Sequence, residues 1–231
     1  MSDAVTPISE PGLKGDVTTV ELDRLERTVA RRSAEARATI PTTEFSDVVD
    51  VDRLLERDAE LGCGVTAIVV AAAANALRAV PRVNGSYRDG RYELYSRVNV
   101  GVTIVGEGIY VTPTIFDADE KSATEIGSEL ATYQVRARED ELRPSELTGA
   151  TFAVLDSSAY DVVAVSPLVL PPQAGALAFG SIRDVPVVRA GEVVPGRTMQ
   201  LSLSVDHRIV YGHHAASFLE EVKAFLEEAR I

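Results

Sequence analysis

The residues best suited to proton transfer in this chain are three histidines near its C-terminal end, His207, His213 and His214. His207 follows residues 199–205, whose alternating apolar and polar side chains predict a strand, and a helical pattern begins soon after it. A side chain at such a junction is held rigidly and faces a cleft, and a neutral imidazole accepts a proton near pH 7. These residues alone leave two interpretations open for His207: a general base, or a buried histidine bonded to backbone groups.

The residues near His207 are expected to support its position in the fold, and they do not indicate a metal site. Asp206 and Arg208 flank His207, and their opposite charges predict an ion pair. His213 and His214 are adjacent, so they cannot face the same way on a helix, and a metal site would need carboxylates from elsewhere in the fold. We therefore expect no metal. Glycine-rich phosphate loops and a Gly-x-Ser-x-Gly elbow are absent from the sequence.

Five ordered segments carry a family resemblance. Residues 204–212, Ser-Val-Asp-His-Arg-Ile-Val-Tyr-Gly, resemble the Asp-His-Arg signature of the acyltransferase core of 2-oxoacid dehydrogenase complexes. Residues 147–152 are similar to that family's Gly-Gly-Thr-Phe segment, and residues 171–180 to its Pro-Pro-Gln strand. Residues 80–84 and 99–102 fall in the expected order. The resemblance covers roughly residues 17–230 and favours the general-base role for His207.

The resemblance implies an α/β fold like that of chloramphenicol acetyltransferase, with a mixed central sheet and flanking helices. It implies a homotrimer with active sites between subunits, in which His207 deprotonates an acceptor that attacks an acyl thioester directly. Acetyl-CoA would then be a co-substrate, with no tightly bound cofactor. We expect a flexible arm over residues 1–16 and a single catalytic domain over residues 17–231.

Two positions depart from the family pattern. Leu155 stands where the family has a Ser or Thr that is thought to hydrogen-bond the oxyanion, and Tyr211 stands where it has Asp or Asn. A leucine side chain donates no hydrogen bond. Ser157, Ser158 and Tyr211 are therefore candidates for the missing hydroxyl, and we predict that Tyr211 acts in catalysis beside His207.

Three functions follow as alternatives. The first is a stand-alone acetyltransferase that resembles the tetronate O-acetyltransferases of natural-product biosynthesis and moves acetyl from coenzyme A to a hydroxymethyl group. The absence of a lipoyl-bearing segment before the core favours it. The second is the core component of a 2-oxoacid dehydrogenase complex whose lipoyl protein is a separate chain. The third is an inactive trimeric scaffold, supported by the two substituted positions.

The composition limits the partners and the cellular compartment that we expect for this protein. The 231 residues carry a formal net charge of −12, which argues against nucleic acid or an anionic membrane as partner. Cys63 is the sole cysteine, so an intramolecular disulfide is impossible, and we expect a cytoplasmic protein. Coenzyme A is itself anionic and needs local basic groups. The candidates are Arg78, Arg82, Arg88, Arg91, Arg97, Lys121, Arg136 and Arg138.

The helices and strands that must position these residues are predicted from the periodicity of the apolar residues and from the residues that interrupt it. Helices are predicted over residues 20–36, 52–61, 66–80, 122–142 and 216–226. Asp52 is expected to cap the second helix, and Ser122 with Glu125 to form a capping box on the fourth. Strands are predicted over residues 42–51, 98–104, 109–115, 151–155, 174–182, 185–188 and 199–205, with turns at 88–91 and 106–108.

Overall fold

A computed structural model describes residues 6–12, 15–106 and 109–230. The five α-helices in this part of the chain are α1 (Arg24–Thr39), α2 (Asp52–Leu61), α3 (Val65–Ala79), α4 (Ala123–Arg138) and α5 (Gly212–Glu227). The strands described are β1 (Thr6–Gly12), β2 (Gly15–Thr19), β3 (Thr42–Asp50), β4 (Gly85–Arg88), β5 (Arg91–Leu94), β6 (Val100–Gly106), β7 (Ile109–Val111), β8 (Thr114–Ile115), β9 (Phe152–Asp156), β10 (Gly175–Phe179), β11 (Arg183–Arg189) and β12 (Glu192–Asp206).

One mixed sheet of eight strands forms the centre of the fold, in the order β11-β12-β10-β9-β6-β7, with β3 paired to β12 and β8 to β6. β9 runs parallel to both β6 and β10, whereas β10 and β12 are antiparallel. β12 is long enough to pair with β11 through its first half and with β3 through its second. The predicted α/β fold with a mixed central sheet and flanking helices is confirmed.

The core lies between this sheet and the helices. α3 is the most deeply buried helix, with ten of its residues buried, and it packs against α4 and α5. Its lack of a wide polar face is typical of a helix inside a core. In the part of the chain that the structure describes, no single helix is long and apolar enough to cross a membrane. α2 and α3 pass that test as a pair, but they meet at a bend of 112°.

Most predicted elements are confirmed, with shifted ends. The Ser122–Glu125 capping box starts α4, but this helix ends at Arg138, short of the predicted residue 142. α1 begins later than expected because Asp23 and Glu26 form a capping box that the prediction missed. Two residues of the predicted turn at 106–108 lie outside the described ranges. Part of the predicted N-terminal arm also lies outside them. The described part of that arm, residues 6–12 and 15–16, pairs as β1 and the start of β2.

The predicted helix cap at Asp52 is wrong. Val51 is the N-cap of α2 and makes no side-chain cap bond, and Asp52 is the first helical residue. Its carboxylate instead accepts hydrogen bonds from Arg189 and Arg197, which lower the pKa of Asp52 below its usual value. Two arginines from the β11–β12 hairpin therefore compete successfully with the helix end for this carboxylate.

Candidate active site

His207 lies in a tight turn between the end of β12 and the start of α5. The backbone N–H of Asp206 donates to the carbonyl of Ala174 at 2.8 Å, and that of His207 to the carbonyl of Pro41 at 2.9 Å. The N–H groups of Ile209 and Val210 both donate to the carbonyl of Asp206. These bonds fix the turn on both sides of the histidine, as the predicted strand-end position requires.

An ion pair joins Asp206 and Arg208, the two residues that flank His207. The carboxylate of Asp206, in a residue only 1% exposed, accepts from Nε of Arg208 at 2.8 Å and from its Nη2 at 2.6 Å. The backbone N–H of Arg208 donates to the same carboxylate at 3.0 Å. These contacts raise the pKa of the Arg208 guanidinium, chiefly through the side-chain bonds to Asp206. The turn thus closes around an ion pair whose carboxylate is buried and whose guanidinium is partly buried, and it leaves His207 exposed.

The imidazole of His207 is exposed, and the described residues make no hydrogen bond to it. Its ring meets Tyr211 edge to face, with centroids 5.8 Å apart and planes at 88°. The Tyr211 hydroxyl donates to the carbonyl of Arg208 at 3.3 Å. The structure therefore brings together His207 and Tyr211, with both ring nitrogens of His207 available for proton transfer.

The oxyanion candidates lie elsewhere, at the far end of β9. Leu155 is partly buried in that strand. Ser157 is 1% exposed and donates its hydroxyl to the carbonyl of Phe179 at 2.7 Å, whereas the Ser158 hydroxyl donates to Oδ1 of Asp156 at 2.6 Å. Each serine proton is already used within the chain, so either hydroxyl must rotate before it can bind an oxyanion.

Within one chain, His207 and Leu155 do not meet. Leu155 is opposite Ala178 of β10, which is opposite Ser202 of β12. His207 lies five residues beyond Ser202, or about 16 Å along the strand direction at the usual rise per residue. The two strand spacings between β9 and β12 add about 10 Å across the sheet. A single copy therefore does not assemble the predicted site.

The sequence did not predict the contacts that surround the turn. Nε of Arg82 donates to the carbonyl of Ile209 at 2.7 Å. A cavity of about 240 Å³ lies beside the turn, and Tyr87, Gln173 and Arg208 are among its lining residues. Oε1 of Gln173 is buried without a hydrogen-bond partner among the described residues. The Pro-Pro-Gln segment was the one sequence signal for this cavity.

A larger cavity, of about 610 Å³, opens between α3 and α5 and is lined by Arg78, Glu221 and Arg230 among others. Arg78 is one of the basic residues proposed for coenzyme A, but the predicted catalytic and oxyanion residues do not line this cavity. The smaller cavity adjoins the turn of His207 through Arg208, and it is also lined by Gln173, whose buried Oε1 has no partner among the described residues.

His213 and His214 stack on each other at the start of α5, with centroids 3.7 Å apart. Nδ1 of His214 accepts the backbone N–H of Tyr211 at 3.3 Å. Burial lowers the pKa of His214, and the charges of His213 and Arg82 lower it further. Among the described residues, no group of three or more His, Cys, Asp and Glu side chains has a metal-binding arrangement.

Most of the basic residues proposed for coenzyme A are held by carboxylates. Five form ion pairs: Arg78 with Asp119, Arg88 with Glu93, Arg97 with Asp117, Lys121 with Glu129 and Arg136 with Glu146. These pairs neutralise much of the predicted basic patch within one chain.

Residues 14–230 match the family described as 2-oxoacid dehydrogenases acyltransferase (catalytic domain). The chain belongs to this family. It is 33% identical over 238 residues to the dihydrolipoyllysine-residue acetyltransferase component of the pyruvate dehydrogenase complex of Rhizobium meliloti, covering 97% of this chain and 53% of that protein. The chain thus spans about half the length of the curated relatives it matches.

Solved structures show the same fold. The dihydrolipoamide acetyltransferase of Azotobacter vinelandii superposes with a TM-score of 0.89 at 22% identity, over 97% of each chain. A chloramphenicol acetyltransferase superposes with a TM-score of 0.57 at 17% identity, over 85% of this chain and 94% of that one. These structural likenesses show the fold of the chain. The curated relative from Rhizobium meliloti is named as a component of a pyruvate dehydrogenase complex, so the resemblance to the tetronate enzymes stays a prediction.

Proposed function

We propose that this protein transfers an acyl group between coenzyme A and a dihydrolipoyl thiol, with His207 as the general base. The observation that carries the proposal is the intact Asp206-His207-Arg208 turn, which buries the carboxylate of its ion pair and exposes an imidazole free of hydrogen bonds within the described residues. Support comes from the relatives, which are named as dihydrolipoyllysine-residue acetyltransferases.

The reaction balances without a covalent enzyme intermediate. The neutral imidazole of His207 takes the proton of the acceptor thiol, and the sulfur attacks the thioester carbonyl carbon. A new carbon–sulfur bond forms while the carbonyl oxygen becomes an oxyanion. When the tetrahedral species collapses, the bond to the coenzyme A sulfur breaks and that sulfur takes the proton from the imidazolium. Positioning of both substrates and stabilisation of the oxyanion supply the rest of the rate.

We propose a homotrimer in which His207 of one copy faces the β9 end of the next. The separation of His207 and Leu155 within one chain supports this, since a second copy can supply what one lacks. One solved relative is described as the cubic core of a pyruvate dehydrogenase complex, which is a multimeric assembly.

A second candidate is transfer of acetyl from coenzyme A to a hydroxyl of a small molecule, such as a hydroxymethyl tetronate. Leu155 and Tyr211 favour it. The Azotobacter enzyme is described by the roles of a serine, a histidine and an asparagine in its mechanism, at the spacing that Leu155, His207 and Tyr211 have here. Two altered positions beside an unaltered histidine are expected if the acceptor differs from a lipoyl thiol.

The test measures release of free coenzyme A from acetyl-CoA by the full chain, with dihydrolipoamide or a hydroxymethyl tetronate as acceptor. We expect saturable turnover with dihydrolipoamide, its loss in His207→Ala, and its retention in His213→Ala, the control at an exposed neighbouring histidine. Turnover with the hydroxyl acceptor alone would replace the first candidate by the second. Absence of both turnover and acetyl-CoA binding in a thermal-shift titration would overturn both and leave the scaffold.

A further inference from the structure

We propose that the β4–β5 hairpin positions His207 by holding its turn between two arginine–tyrosine stacks. The inference rests on the proposed function, because it concerns the same imidazole, but its contacts are independent of which acceptor is used. Tyr87 and Tyr92 are the positioning residues, and Arg82 and Arg208 connect them to the turn.

The hairpin presents the two tyrosines side by side. Its two-residue turn, Asp89-Gly90, has φ of 48° and 78°, the left-handed values that such tight hairpins need. Tyr87 is directly opposite Tyr92 in the antiparallel register, so both rings lie on one face of the ribbon. The ribbon is a sheet of two strands in the described structure, and such a ribbon is stable only when it packs against something else.

What the tyrosines pack against is the turn of His207. The guanidinium carbon of Arg208 lies 4.1 Å from the ring centroid of Tyr87, while its nitrogens bind Asp206. The guanidinium carbon of Arg82 lies 3.6 Å from the ring centroid of Tyr92, while its Nε binds the carbonyl of Ile209. A planar guanidinium can stack and donate hydrogen bonds at its edge at once, and both arginines do so.

The two stacks therefore hold the two residues that directly follow the histidine. Arg208 is the residue after His207, and Ile209, whose carbonyl Arg82 holds, is the next. Because the described residues make no hydrogen bond to the imidazole itself, its position depends on the backbone that carries it. A general base must stay within about 0.5 Å of its productive geometry, so a loosened turn lowers the rate of proton transfer.

Tyr92→Leu gives the cleaner test, because Tyr87 also lines the neighbouring cavity and a change there alters the cavity wall. We expect Tyr92→Leu to lower kcat about ten- to a hundredfold, as misplacement of a reacting group does, with the KM for acetyl-CoA within twofold. Tyr92→Phe keeps the ring and should keep kcat.

A second readout separates this inference from the proposed function. The ring protons of His207, assigned by comparison with His207→Gln, report the order of the turn by NMR whether or not an acceptor is known. Tyr92→Leu should broaden or split this signal, and Tyr92→Phe should leave it unchanged. An unaltered signal in Tyr92→Leu would overturn the positioning role. An ordered, tyrosine-dependent signal in a protein that transfers no acyl group would refute the proposed function alone.

Discussion

Oδ2 of Asp206 lies 2.6 Å from Nη2 of Arg208, and the residue between them is the exposed one. The Asp206–Arg208 pair occupies the inside of the turn. Because successive side chains of a strand point to opposite faces, His207 points away from Asp206. A single charge pair thereby closes the turn and exposes the imidazole. Under the proposed function, the stability of the turn and the activity of the protein then depend on the same two side chains.

Removing the acid of this pair should destabilise the fold. Asp206→Ala leaves the Arg208 guanidinium without its partner, and breaking a buried pair costs about 3–5 kcal/mol. The Arg208 side chain is 28% exposed, so we expect about 3 kcal/mol after allowing for its partial solvation. Urea unfolding at fixed protein concentration measures this loss.

The matched control for that prediction is Asp47→Ala, which breaks the more exposed pair with Lys223. Such a pair contributes about 1 kcal/mol or less. Equal losses of unfolding free energy in Asp206→Ala and Asp47→Ala would show that burial of the Asp206 pair has no special role.

Acidification should loosen the start of α5 through His214. Because its pKa is lowered in the folded state, the unfolded chain binds more protons, and the stability falls as the pH falls. The loss begins near the unfolded pKa of about 6.5 and levels off below the folded value. Protonation at Nδ1 also removes the acceptor for the Tyr211 N–H.

Melting temperatures measured from pH 7.5 to 5 check this prediction. His214→Asn keeps an acceptor oxygen near the helix end and has no titrating ring, so its melting temperature should fall less over the same range. An identical pH dependence in the wild type and His214→Asn would contradict the assignment to His214.

Tyr211→Phe tests whether the tyrosine hydroxyl acts in catalysis. The substitution keeps the edge-to-face ring contact with His207 and removes only the hydroxyl. In the wild type, the hydroxyl could exchange its bond to the Arg208 carbonyl for one to the oxyanion. If it does, the kcat of Tyr211→Phe should be about 10²-fold lower, as when an oxyanion donor is lost. An unchanged kcat would remove Tyr211 from the catalytic machinery.

Leu155→Ser should restore the hydroxyl that the family pattern places there. Leu155 is partly buried near the end of β9. If the site lacks an oxyanion donor, acetyl transfer to dihydrolipoamide should rise about tenfold or more. Leu155→Ala controls for the change in volume. Equal rates for the Ser and Ala variants would show that another group already binds the oxyanion.

Local sequence signals predicted the elements and the position of His207. The Ser122–Glu125 capping box and the alternation before His207 need only neighbouring residues, and both predicted elements exist. The contacts that were not predicted join residues distant in sequence. Asp52 is a good cap by type, but Arg189 and Arg197 bind its carboxylate. The stack of Arg208 on Tyr87 joins residues far apart along the chain, and no local pattern records it.

Complementation between two inactive variants tests the central claim, that His207 of one copy works with the β9 end of another. His207→Ala lacks the base, and Leu155→Arg should block the other half of the site. Coexpressed, the two should form mixed trimers in which about a quarter of the sites combine an intact His207 with an intact Leu155, so acetyl transfer should return to about that fraction of the wild-type rate. If mixed trimers form and no activity returns, the site lies within one chain and the account is wrong.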